Sequence, residues 1–148
     1  AAYEVAPQPS STSQVTARFG DALSLVDHSV DVVRAGDRRT YTVQLTWRAE
    51  LTPAADYTAF VGLCRERCAP GSVIAQDDAQ PGTAFYPTTL WRPGDVIIDT
   101  RTLELPATTP STPTVGVGIY AWPTLERLTI TEPPGPWLDD VLLLAPGD

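Results

Sequence analysis

The run "TYTVQLTWRAE" alternates without a break: Tyr41, Val43, Leu45 and Trp47 fall on one side, Thr42, Gln44 and Thr46 on the other. A period of two matches the pleat of a half-buried β-strand; wound into a helix, the same residues would scatter their apolar groups around the whole circumference. Turn-forming stretches bracket it, "VRAGDRRT" before and "LTPAAD" after. Further strand-like runs are "QVTARF", "ALSLVDHSV", "YTAFVGLC", "SVIAQD", "VIIDTRTLEL", "TVGVGIYAW", "RLTIT" and "WLDDVLLLA". Most are bounded by proline or glycine, and no stretch holds a helical pattern for more than a turn or two. Short strands punctuated in this way predict an all-β fold, a single Greek-key or immunoglobulin-like sandwich of about 7–9 antiparallel strands.

A chain of 148 residues suits one such domain, large enough to bury roughly 70% of its unfolded surface in a core that needs no metal. The sandwich is expected over residues 14–148. Residues 1–13, "AAYEVAPQPSSTS", have no periodicity and the composition of an extended arm or linker. The net charge is −8, with ten arginines and no lysine, and such a balance argues against nucleic acid or an anionic membrane as partner. No run approaches the ~18 apolar residues of a membrane-spanning helix. The lack of asparagine and methionine suits a thermophilic source. The opening "AAYEV" carries neither methionine nor an apolar leader, as in a mature exported chain or a segment of a longer one, and the expected location is extracellular or at the cell surface.

Four blocks carry a family resemblance: "FGD" before an apolar strand, "RAGD" before "YTVQLTWRA", "DYTAFVGL", and "YPTTLWRPGDVIID", the last being the most specific. Over roughly residues 18–145 the chain resembles a β-sandwich module found at the C-terminal ends of exported and membrane-anchored proteins of Chloroflexota-type bacteria, many of them multi-span and glycosyltransferase-like. The resemblance implies an extracytoplasmic sandwich and brings no catalytic residues with it. The chain departs from the pattern at "CRERCAPGS" and at "YAWPTLERLTITEPPGPW", where individual function would sit.

Cys64 and Cys68 flank "RER". In an exported chain two cysteines pair, and three intervening residues at a hairpin tip allow it; a zinc site would need two further ligands, and the single histidine, His28, stands far off at what reads as a strand end. Asp77 and Asp78, with Asp95 and Asp99 downstream, offer hard oxygen ligands for calcium as a weak alternative to solvated turn residues. No nucleophile motif accompanies His28, so no catalytic residue, cofactor or resident metal is expected. The loop "YPTTLWRPGD" of residues 86–95 reads as a structural corner, with Tyr86 and Trp91 burying area while its prolines limit the unfolded chain. A sugar-stacking platform is the competing reading.

Two functions remain. One is a non-catalytic structural or assembly subunit at the cell surface, contacting other copies through its arm, with Tyr3 and Val5 as the contact residues. The other is a carbohydrate-binding module that stacks a polysaccharide on Tyr120, Trp122 and Trp137.

Overall fold

The computed structural model describes residues 16–65, 68, 71–82, 85–110, 112–121, 124–133 and 140–144. The alternating run forms β3 (Arg38–Ala49), whose Tyr41, Val43, Leu45, Trp47 and Ala49 are buried along one face. Before it come β1 (Ala17–Phe19) and β2 (Leu23–Ala35). After it come β4 (Tyr57–Cys64), β5 (Val73–Ala79), a single 3-10 turn at Thr88–Leu90, β6 (Val96–Pro106), β7 (Thr114–Ala121), β8 (Ile130–Glu132) and β9 (Leu142–Leu144).

Among the described residues these nine strands make two antiparallel sheets, in the orders β6-β3-β2-β1-β8 and β5-β4-β7-β9. The chain passes from the first sheet to the second between β3 and β4. It then returns with β6 beside β3 and crosses again to place β7 beside β4. Two interlocked strand pairs, one in each sheet, are the Greek-key crossing of an immunoglobulin-like sandwich. The inner faces meet in one core. Phe19, Leu25, Leu45 and Trp47 come from the first sheet, and Val61, Leu63, Val117 and Ile119 from the second. The Phe19 and Trp47 rings meet edge to face, with centroids 5.6 Å apart.

Two local expectations change. The segment "VRAGDRRT" is mostly strand: β2 runs to Ala35 and β3 starts at Arg38, so only Gly36 and Asp37 turn. Gly36 carries φ 62°, a left-handed conformation that glycine adopts without a Cβ clash. His28 is accordingly no strand end. It lies inside β2 opposite Leu45, two residues past a bulge that shifts the register between Leu25 and Asp27. The long β2–β3 hairpin satisfied its backbone groups by pairing, and this outweighed the turn propensity of its charged residues.

Among the described residues no helix is long and apolar enough to cross a membrane. The Cys64–Cys68 disulfide is formed, with Cα atoms 5.1 Å apart.

Candidate functional site

Trp91 is fully buried beneath the loop of residues 86–95 and donates its Nε1–H to the Tyr86 carbonyl at 2.9 Å. The Tyr86 hydroxyl donates to Asp95 Oδ2 at 2.6 Å, and the Arg92 backbone N–H donates to the same oxygen at 3.0 Å. Pro93 and Gly94 occupy the centre of a turn closed by the Asp95 N–H on the Arg92 carbonyl. Gly94 sits at φ 94°, the conformation a type II turn requires at its third position. Thr88, also buried, ties the loop to the β3–β4 connection: its hydroxyl donates to the Ala55 carbonyl and accepts the Tyr57 N–H. With its indole enclosed, Trp91 presents no ring face to a ligand.

Asp99 and Asp95, grouped in the sequence with Asp77 and Asp78 as cation ligands, have other partners. Asp99 is buried in the sandwich, where it accepts the Trp47 Nε1–H at 3.1 Å and pairs with Arg101 at 2.8 Å. Arg101, buried as well, donates onward to the carbonyls of Ala59, Asp77 and Ala79. Asp77 and Asp78 are adjacent on β5 and so point to opposite faces. Asp78 accepts the Tyr120 hydroxyl at 2.8 Å and Gln76 Nε2–H at 3.0 Å. No three His, Cys, Asp or Glu side chains converge as a metal site among the described residues.

The outer face of the β5-β4-β7-β9 sheet is built around missing side chains. Gly62 on β4 and Gly116 and Gly118 on β7 share that face, with Gly62 opposite Gly116 and Phe60 opposite Gly118. A Cβ at Gly62 would collide with the Phe60 ring, and one at Gly116 with Cys68 Sγ. The cystine thus folds back onto the sheet and forms a small second cluster with Phe60 and Val141, flanked by Val73 and Tyr120. At Gly118 the space is filled by the Arg127 guanidinium, 2.6 Å from where a Cβ would stand. The protein should show no free thiols when labelled denatured and unreduced. Changing both cysteines to alanine should leave it folded at a cost of about 2–4 kcal/mol, the lower figure from loop entropy and the remainder from lost sulfur packing over Gly116. Two reactive thiols would refute this.

Tyr120 stands at the rim of that cluster, half-buried. The tight turn after β7 is closed by the Ala121 N–H on the Glu126 carbonyl and the Leu125 N–H on the Ala121 carbonyl, and it lays Arg127 across the sheet opposite Tyr120. The Arg127 guanidinium sits 5.5 Å from the Phe60 ring centroid and 5.9 Å from that of Tyr120. Burial, then the hydrogen bond and charge of Asp78, hold the Tyr120 phenol above its ordinary pKa. Asp78, Tyr120, Leu125 and Arg127 line an open cavity of about 220 Å³. Sequence reasoning named Tyr120 and missed Leu125 and Arg127. The available signal was "TVGVGIY", in which alternate glycines mark a strand face that another segment covers. Trp122 and Trp137, expected beside Tyr120, lie outside the described residues, as do Tyr3 and Val5.

A second feature is the edge of β2. β1 pairs with it only at Leu23, Ser24 and Leu25, and the Thr16 N–H adds one bond to the Leu25 carbonyl. Along residues 27–35 β2 is paired with β3 alone among the described residues. Val32 and Val33 there are 39% and 60% exposed. The β5 and β6 edges differ, because Arg101 reaches from β6 and takes β5 carbonyls as acceptors. Comparison with family models, with characterised proteins and with solved structures finds no match to this chain.

Proposed function

We propose that the protein is a non-catalytic, extracytoplasmic assembly module in which the N-terminal arm of one copy adds as a strand to the β2 edge of the next. The observation that supports this reading is the stretch of β2, residues 27–35, that pairs with β3 alone among the described residues and carries two exposed valines. A row of unpaired backbone groups beside apolar side chains is a template for strand addition, and proteins that leave one open usually cover it. The arm is long enough to do so, since nine strand residues span about 30 Å and its thirteen residues reach about 43 Å when extended. Its Pro7 and Pro9 cannot donate to a ladder, which is tolerable only in a strand at an edge. Tyr3 and Val5 alternate in "AAYEV" and would lie on one face of the added strand. One arm on one edge is a heterologous contact, so repetition gives a ring or an open filament.

Sedimentation across a range of concentrations tests the assembly. The full chain should self-associate, whereas deletion of residues 1–12 should leave a folded monomer. The Val32→Lys, Val33→Lys variant should also be monomeric, because charge on an edge opposes strand addition. A full chain that is monomeric throughout, or association that survives both changes, rules the proposal out.

A further inference from the structure

The outer face of the second sheet carries chemistry that assembly at β2 does not use. The Arg127 guanidinium is held over two aromatic rings, yet it makes no hydrogen bond or ion pair among the described residues. An arginine fork has five N–H donors in fixed directions, and here they are positioned by the rings and by the gap at Gly118 without being consumed. Beside it Asp78 accepts one hydrogen bond on each carboxylate oxygen, so acceptor capacity remains on both. Leu125 supplies the apolar wall. It is 57% exposed and held at φ 65°, a conformation that is an outlier for a bulky residue and that the surrounding turn must enforce.

The geometry points to a binding site for one neutral saccharide residue, with Arg127 donating to and Asp78 accepting from its hydroxyls while Leu125 and the Tyr120 ring take its apolar face. Each wall excludes other ligands. An anion drawn to Arg127 would meet the Asp78 carboxylate and a chain of net charge −8. A cation drawn to Asp78 would meet the guanidinium. A ligand carrying adjacent donors and acceptors satisfies both groups at once, and vicinal hydroxyls on a ring with an apolar face do so. The cavity, about 220 Å³, is smaller than the several hundred Å³ of sites that enclose a drug-sized ligand, so it suits one ring. Its openness to solvent lets a longer glycan continue over the surface. The site deepens the sugar-binding alternative read from the sequence, but it is built from Arg127, Asp78 and Leu125 and needs neither Trp122 nor Trp137.

The test is a titration of the isotope-labelled full chain with the methyl glycosides of glucose, galactose and mannose, with sodium acetate as the anion probe. At least one glycoside should move the Arg127 Nε–H and Tyr120 ring resonances saturably, with a Kd on the order of 1 mM for a ligand of so few atoms. Arg127→Gln should weaken binding about tenfold or more, since charged hydrogen bonds are lost. Arg127→Lys, which keeps the stem and the charge over the rings, should still weaken it several-fold because the fork is gone. Both variants are checked for an unchanged melting temperature; if Arg127→Gln is unfolded, the lysine variant alone decides. The proposal fails if no glycoside gives a saturable shift, if acetate binds and the glycosides do not, or if glycoside affinity is the same in the folded variants as in the parent.

Discussion

Replacing Arg101 by alanine is expected to destabilise the protein by about 3–5 kcal/mol, the usual result of stripping one partner from a buried ion pair. Asp99 would lose its counter-ion in the sandwich interior and keep, among the described residues, the Trp47 Nε1–H. The carbonyls of Ala59, Asp77 and Ala79 would lose their guanidinium donor at the same time. Those three carbonyls belong to β4 and β5 while Arg101 and Asp99 belong to β6, so the side chain also joins the two sheets along one open side. For a domain of this size the loss corresponds to a fall in Tm of roughly 10–20 °C. The double change Asp99→Leu, Arg101→Met removes both charges and should be much milder than the single one, because no uncompensated charge remains. Denaturant unfolding of the two variants measures the difference. A single variant within about 1 kcal/mol of the parent would show that water reaches the pair.

The sheets were legible where one face is apolar and the other polar. β3 announces itself through Tyr41, Val43, Leu45 and Trp47, and β6 begins the same way with Ile97. What followed in β6 was harder. Asp99 and Arg101 stand in phase with Ile97, Leu103 and Leu105, so the alternation itself sends two charges inward. Read by residue type, Asp99 is a solvated carboxylate or a cation ligand; read by phase, it is a core residue that must have a partner. The partner is two residues on, at the same face of the same strand. The outer-face site was partly visible. Tyr120 drew attention as an aromatic, but the residues that give it chemistry arrive from β5 and from the turn after β7. Nothing local in "PTLERLT" distinguishes Arg127 from a solvated arginine until Gly118 and Phe60 are known to lie beneath it. The edge of β2 that is unpaired among the described residues was hidden for a related reason. Strand ends are set by pairing, and the charges of "VRAGDRRT" look like a loop until β2 and β3 are seen to hold each other to Ala35 and Arg38.

Trp91→Ala should be as costly as the loss of Arg101, about 3–5 kcal/mol, for a different reason. The indole fills the corner beneath residues 86–95, and its removal opens a cavity that the loop is poorly placed to close. Pro87 and Pro93 restrict the backbone on either side, Gly94 is committed to its left-handed turn, and Thr88 is bonded both to Ala55 and to Tyr57. Trp91→Phe keeps most of the apolar area but leaves the Tyr86 carbonyl without the indole N–H, and about 1–3 kcal/mol is expected from it. Tyr86→Phe removes the hydroxyl that donates to Asp95, a bond to a carboxylate worth about 1.5–3 kcal/mol. Because Tyr86 and Trp91 share the loop, the double variant Tyr86→Phe, Trp91→Ala should cost less than the two single losses added together: once the indole is gone, the loop no longer holds Tyr86 against Asp95. Unfolding curves for the three variants and the double variant give that coupling directly. Additive losses would mean that the loop is held from outside, by the bonds of Thr88, Thr89, Gly94 and Asp95 to Ala49, Ala55, Asp56 and Tyr57. A Trp91→Ala protein as stable as the parent would mean that the ring is not buried and is free to serve a ligand.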